Sequence, residues 1–528
     1  MRKTLIPLLA AAACALPAAP TAAWAQKVTK LVPGSAFHGV HGIRFAPDGQ
    51  LYAGSVIGQT LYSVNAQTGE WRVVEPPPWG EADDIAFGPD GQVVWTAILA
   101  GTVYTKRGKG PAEVLAKDLP GANSVVFSPD KKHLYLGQVF LGDAVWELDA
   151  TGAKPPRRIA NAVGGFNSFD VGPDGALYGP LWFKSQIGRI DPNTGAVTVV
   201  AEGFKTPAAA KFGPDGKLYA IDTAVGVLYR VDIATGAKTK VAQLTPALDN
   251  MAFDGKGRLF VSNMSDNGIQ QVDLKSGKLR QVIKGALAYP ADIAISTADG
   301  KDTLFVADAF AYRSVDGQSG KVTTLARAYS DDIANPSAVG VAGDKVLLVG
   351  GGSIDVRDRL TGKRLSISEP FAGPTDVVGL PNGDWLVSQE GGEIIRVSGA
   401  TRTTLAKGLK APVSLALGPD AVFVAERDGG KITRIDLATG AASVAADGFG
   451  KPRAVALTAA GDLVVLDVGA KQVVWVGKGG ERRVLARELP VGYLPDAPGG
   501  GIAVGAKGDV YLSSDVENAI YKISGIGR

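Results

Sequence analysis

The sequence predicts an all-β protein made of two six-bladed β-propellers in tandem, twelve four-stranded blades of about 41 residues each. Three observations carry that prediction. A hydrophobic strand, a G-P-D-G-like turn, an L-Y-x-x strand and a V-D-x-x-T-G hairpin return in the same order along the whole chain. The turn residues fall at the same two places in each return, and no stretch has the apolar periodicity of a helix of any length.

The repeats are clearest at 45–49, 87–91, 127–130, 171–175 and 212–216, and weaker around Asp254, Asp299, Asp344, Asn382, Asp420, Gly461 and Gly508. In the fourth, strands are expected over 169–171, 177–180, 186–191 and 196–200, where small and β-branched residues alternate. Pro-Asp-Gly between the first two strands, and Thr-Gly or Ser-Gly between the last two, supply the preset φ and the positive φ that hairpins need. Asp48 and Asp90 are therefore turn formers.

Twelve blades in one ring would leave a wide, unfilled hole, so two rings of six are expected. The ends say how they close: a lone strand at 28–32 precedes the first repeat, and the last repeat stops after its third strand near Ile523. If 28–32 completes the sixth blade, the strand at 278–283 is released to close the second ring on the twelfth. The domains expected on this basis are 26–275 and 276–528. The alternative is an intertwined closure in which the N-terminal strand pairs with the twelfth blade.

Residues 1–25 read as a cleavable secretory signal, with Arg2 and Lys3, an apolar Ala/Leu run and Ala23-Trp24-Ala25 before the expected cut. A periplasmic or secreted protein is expected. Cys14, the only cysteine, would leave with the signal, so the mature chain has neither thiol nor disulfide. Without Arg2 and Lys3 the formal charge falls from +3 to +1 with both signs interspersed, which offers no basic face for nucleic acid. No later apolar run approaches the roughly 20 residues of a membrane span.

The innermost strand of each blade runs along the central channel, so one residue per blade at an equivalent position converges on the axis. Counting four residues back from the residue before each turn gives His41, Asp83, Asn123, Asn167, Ala208 and Asp249 in the first ring. The second ring gives Ala291, Ser337, Thr375, Val413, Arg453 and Gly500. The first set is metal-competent and the second is not. Converging Asp and Asn oxygens are hard ligands that suit Ca²⁺. Asp83, Asn123, Asn167, Asp249 and Asn250 are the expected metal ligands, with Asp84 and Glu81 beside them. His41 and Asp83 are the expected acid–base residues, and Trp182, Asp222 and Asn263 the expected substrate contacts. Asp and Asn before a strand also form Asx-turns, but a shared turn chemistry would mark both rings alike.

These residues resemble a known family. Leu248-Asp249-Asn250-Met251-Ala252-Phe253 resembles a calcium-binding strand of paraoxonases; Ala122-Asn123-Ser124 and Phe166-Asn167-Ser168 resemble asparagine ligand strands, and His41-Gly42-Ile43 a strand with an active-site histidine. The family is the calcium-dependent six-bladed propeller hydrolases: gluconolactonases and the senescence-marker and luciferin-regenerating proteins, with paraoxonases and diisopropylfluorophosphatase as relatives. The resemblance implies Ca²⁺ polarising a lactone or ester carbonyl while a base promotes attack by water. It departs at Ala208, where an acidic ligand is expected. Residues 179–200, with Leu181-Trp182-Phe183 and Gln186-Ile187-Gly188-Arg189-Ile190-Asp191, also resemble streptogramin lyases and N-H-L propellers, many of which are scaffolds. The expected function is an exported lactonase- or esterase-like hydrolase of a small molecule. The alternatives are a lyase-like enzyme and a non-catalytic binding or scaffold protein.

Overall fold

The structure is a computed structural model that describes residues 26–494 and 499–526, so the expected signal segment lies outside the described residues. Twelve four-stranded antiparallel sheets follow one another along the chain. The fourth blade has strands Asp170–Val171, Leu177–Leu181, Gln186–Ile190 and Val197–Ala201, within a residue of the sequence reading. Among the described residues the helical elements are two three-residue 3₁₀ turns, Trp182–Lys184 and Ala298–Gly300.

The repeated turn residues act as their chemistry dictates. Asp48 Oδ1 accepts the amide of Gln50 at 2.9 Å, and Asp90 has a φ of 54°. In the outer hairpins Asp232 Oδ1 accepts the amides of Ala234 and Thr235 at 2.9 and 3.0 Å, and Gly236 follows with a φ of 72°. Asp191, Asp273, Asp316, Asp358 and Asp436 repeat that arrangement. An Asx-bonded turn followed by a left-handed residue fixes the hairpin register independently of what the blade packs against.

The sheets close into two rings, but not by the predicted exchange. Val28–Val32 pairs antiparallel with Ala519–Ile523 of the twelfth blade, and Leu279–Ile283 remains the outer strand of the sixth. The first ring closes on its own strands, through a core in which Ile43, Leu51 and Tyr62 of the first blade meet Phe260 and Ile269 of the sixth. The second closes where Val32 packs with Ile293 and Leu304 of the seventh blade and Ala503, Tyr511 and Ile520 of the twelfth. The boundary near Lys275 therefore moves to the connection between Ile283 and Pro290. In chain order the first ring is an insertion between the N-terminal strand and the rest of the second. The reason is that the sixth blade already owns four complementary strands, while the twelfth ends at three and leaves an edge unpaired.

Two connections cross between the rings, 33–42 and 284–289, and side-chain amides tie them together. Asn267 receives the Gly39 amide on Oδ1 at 2.9 Å and donates to the Phe37 carbonyl, to which Asn518 also donates at 2.6 Å. Arg327 of the seventh blade pairs with Asp266 of the sixth at 2.7 Å, and Arg313 Nε pairs with Asp308 at 2.6 Å while its Nη2 reaches the Ser265 carbonyl.

His38, in the first connection, is 3% exposed, stacks on Tyr493 at 4.2 Å and bonds the Asp515 carbonyl oxygen through Nε2 at 2.7 Å. The Asp515 carboxylate is already occupied by the amides of Gly492 and Tyr493. Burial pushes the His38 imidazole from 6.5 down to about 4. Below pH 6.5 the unfolded chain takes up a proton that the folded protein refuses, so this contribution is complete above pH 6.5 and is lost as the pH falls toward 4. At about 1.4 kcal/mol per pH unit the loss is on the order of 3 kcal/mol. The stability difference between wild type and His38→Gln, followed by denaturant unfolding, should shrink by that amount between pH 7 and 4.5. A constant difference would assign the acid sensitivity elsewhere.

Candidate metal centre

The column residues share a backbone device. A register shift of one extra residue places Asn123, Ala208, Asp249, Ala291, Thr375, Val413 and Arg453 in β-bulges at the start of their inner strands. A proline opens five of these strands: Pro207, Pro290, Pro374, Pro412 and Pro452. The bulged residue is released from the ladder and its side chain is re-aimed, here into the channel. Both rings have the device, so the backbone sets the position and the residue type sets the chemistry.

In the first ring one ligand atom each from His41, Asp83 and Asp249 lie within 4.8 Å of one another. His41 and Asp83 are buried and Asp249 is half-buried. With its proton on Nδ1, His41 donates to the Gly39 carbonyl at 2.9 Å, which leaves the Nε2 lone pair available. Burial pushes this imidazole down to about 4, so it is neutral at neutral pH. Burial, then the charges of Asp249, Asp84 and Glu81, hold the Asp83 carboxyl well above the ordinary carboxylate range. Asp249 is pushed up to about 8, by burial first and Asp84 second, against the pull of Lys211. Two desolvated carboxylates beside a bare imidazole nitrogen form an unfavourable centre that a divalent cation would relieve. The described residues thus contain a buried His/Asp/Asp cluster able to coordinate such an ion.

The other expected ligands are arranged around it. Asn123 donates Nδ2 to Asp83 Oδ2, while its Oδ1 accepts from Ser124 Oγ at 2.7 Å. Asn167 Oδ1 accepts the amide of Ser168 at 2.9 Å. Asn250, beside Asp249 in the chain, is held by hydrogen bonds of its own. Its Oδ1 accepts from Ser168 Oγ and the Met251 amide, both at 2.8 Å, and its Nδ2 reaches Asp84 Oδ1 at 3.2 Å. Consecutive residues leaving a bulge point to different sides, so Asp249 faces the centre and Asn250 faces down the channel toward Asp84 and Lys211, which are 3.9 Å apart. Ala208 is fully buried and offers no ligand.

Asp222 and Asn263, the expected substrate contacts, have their side chains engaged by neighbouring loops. Asp222 accepts the amides of Lys205 and Thr206 at 2.6 and 3.0 Å; Asn263 donates to the carbonyls of Thr245 and Pro246 at 3.0 and 2.9 Å. Glu81 likewise takes the Leu99 amide at 2.7 Å. Asp308, Asp467 and Asp515 do the same in the second ring, so a residue at the end of a second strand clamps a loop in both rings.

Trp182 belongs to a collar above the centre. Val56, Ile98, Val139 and Trp182 each follow the second strand of successive blades and touch one another, which only the ring axis permits for four blades. The second ring overhangs this mouth. Phe310 sits edge-on to His41 at 5.4 Å, and Tyr329 edge-on to Trp182 at 5.4 Å. Gly39, with a φ of 76°, makes room, since a Cβ there would lie 2.2 Å from the Phe310 ring. Sequence reasoning missed both aromatics. A signal existed for Tyr329: ten residues (328–337) connect the seventh and eighth blades, where five (202–206) connect the fourth and fifth. In the second ring all six column residues line a cavity of about 510 Å³, bordered by Glu390, Arg427 and Asp428.

Comparison with known proteins places this site in context. Residues 162–310 match the family model SMP-30/Gluconolactonase/LRE-like region. The match includes Asn167, Asp249 and Asn250 and stops short of His41, Asp83 and Asn123. Among solved structures, a catalytically inactive virginiamycin B lyase from Staphylococcus aureus, with quinupristin, is similar at 18% identity and a TM-score of 0.39, over 56% of this chain and 97% of that one. A nidogen/laminin complex is similar at 15% identity and 0.39, over 44% and 90%. A structural genomics protein of unknown function from Bacteroides thetaiotaomicron is similar at 15% identity and 0.40, over 47% and 75%. No curated protein sequence matches the chain. The architecture is that of two tandem propellers with twelve four-stranded blades, of which residues 162–310 are similar to the gluconolactonase-like family model.

Proposed function

We propose that the first ring is an exported, divalent-cation-dependent hydrolase of lactones or esters, with calcium as its ion. The observation that carries this reading is the convergence of His41, Asp83 and Asp249 at the axis of one ring, under an apolar collar. When bound, such a cation supplies Lewis acidity at a carbonyl oxygen. Asp83 and Asp249 hold the site's negative charge, and Asn123 orients Asp83 through its amide. Neutral His41, its ring fixed by Gly39 and Phe310, presents Nε2 to accept a proton from water. The collar excludes bulk water, which strengthens each of these interactions. Export is supported by the signal-like sequence of residues 1–25.

Calcium titration by calorimetry, followed by a lactone and aryl-ester panel, tests the reading. Saturable binding with calcium-dependent turnover is expected, and His41→Gln should abolish turnover while leaving calcium affinity within a few-fold. Tight Zn²⁺ or Mn²⁺ binding lost in His41→Gln would instead make the imidazole a ligand, as nitrogen donors favour those ions. A non-catalytic binding protein is the second reading, favoured by Ala208 at the fifth column position and by the aromatic overhang. Metal binding without turnover would select it.

A further inference from the structure

The first ring's centre is not built from the first ring alone. Tyr329 stands in the connection after the outer strand Val322–Arg327 of the seventh blade, and its side chain meets Trp182, the collar residue of the fourth. To arrive there it adopts a left-handed φ of 65°, which is costly for an aromatic residue and persists only where surroundings enforce it. The surroundings do so. Ala328 and Ile333 bridge the base of the connection, the Ala328 amide donates to the Phe310 carbonyl at 2.9 Å, and the Asp331 amide to the Arg327 carbonyl at 3.0 Å. Arg327 is in turn anchored on the first ring through Asp266 and Ser265 Oγ, at 2.7 and 3.0 Å. A strained residue on a braced loop, over the axis of a neighbouring ring, is more than ordinary interface packing requires. Its phenol is half-buried, and among the described residues no hydrogen-bond partner takes up its hydroxyl. The charges of Asp249 and Asp83 reach that hydroxyl and, after burial, are what raise its pKa.

We propose that the centre is a composite of both rings, in which Tyr329 donates its phenol hydrogen bond to the oxygen of the carbonyl or carboxylate group bound over His41, Asp83 and Asp249. The second ring thereby supplies a specificity-determining group to the first. A ligand must present an oxygen acceptor toward Tyr329 and an adjoining apolar portion toward Trp182 and Val139. The proposal rests on the cation-binding reading above.

The test compares wild type, Tyr329→Phe and Tyr289→Phe in three measurements. Tyr289 is a more deeply buried interface tyrosine, 2% exposed and packed against His38, and serves as the control. Calcium loading should give a tyrosine ultraviolet difference spectrum that Tyr329→Phe loses and Tyr289→Phe keeps, since only Tyr329 senses the charge change at the two aspartates. Calcium affinity itself should stay within threefold in both variants. Binding of butyrate to the calcium-loaded protein should weaken about tenfold in Tyr329→Phe alone, and 4-nitrophenyl butyrate turnover should fall similarly through kcat/KM. An unchanged difference spectrum with unchanged butyrate affinity in Tyr329→Phe overturns the proposal. Absence of calcium binding in wild type removes the cation reading on which it rests, and with it the proposal; the two failures are told apart by the calcium titration of wild type.

Discussion

Replacing Asp249 with Asn should make the metal-free protein more stable while removing its response to calcium. Asp249 and Asp83 are forced together at the axis, and burial and mutual charge raise both carboxyls. Neutralising one relieves repulsion and desolvation at nearly constant shape, a gain on the order of 1–2 kcal/mol in the apo state. The same change removes an anionic ligand, which should lower calcium affinity by about 100-fold or more. Scanning calorimetry with and without millimolar calcium reads both at once. Wild type should be the less stable without calcium and gain on adding it; Asp249→Asn should be the more stable without calcium and gain little. Asp83→Asn should behave alike, because an amide oxygen can still accept from Asn123. A variant that is destabilised when metal-free but still stabilised by calcium would make Asp249 a structural residue. The opposite signs matter, since a turn-forming aspartate loses stability on substitution under all conditions and a ligand pair does not.

Deleting the N-terminal strand through Val32 should open the second ring and spare the first. Val28–Val32 is the fourth strand of the twelfth blade, and Val32 is fully buried in the core that joins that blade to the seventh. Its loss removes a buried valine and a run of ladder hydrogen bonds, and exposes the edge beside Ile520 and Ile523, both fully buried. On the order of 5 kcal/mol is at stake. The first ring closes on its own strands, so its unfolding transition should stay within a degree or two while that of the second falls well below it. Had the predicted exchange been made, the deletion would have struck the first ring instead. Tryptophan fluorescence distinguishes the cases, because Trp71, Trp95 and Trp146 lie in the first ring and Trp385 and Trp475 in the second. Simultaneous loss of both rings would show that the crossings at 33–42 and 284–289 couple them into one cooperative unit.

The two rings also explain why the repeated letters carry so little of the function. Pro-Asp-Gly and Asp-x-x-Thr-Gly specify hairpins, and Asp222, Asn263 and their counterparts clamp loops, in every part of the molecule. Those interactions are local, reaching a few residues along the chain or to the adjoining loop, so a sequence pattern displays them fully. The column of bulged residues was legible for the same reason. Its offset from the turn is constant, and Asp83, Asp249 and His41 stand at that offset. The hydrogen bonds of Asn250 to Ser168 and Asp84 were not legible, because adjacency in sequence does not distinguish the two sides of a strand leaving a bulge. The loop-clamping role of Asp222 and Asn263 was not legible, because a clamp and a ligand contact call for the same polar side chains.

The all-β class, the blade count, the strand boundaries of the fourth blade to within a residue, and the ring that holds the polar centre follow from short-range turn chemistry and period, and so are written in the chain. Which ring the N-terminal strand completes is settled by folding, because the free edge it pairs with lies nearly 500 residues away. The tertiary structure alone brought Phe310 and Tyr329 over a channel to which they do not belong by repeat. Contacts between rings follow from packing at the crossings rather than from any period, so no column of the repeat could have contained them.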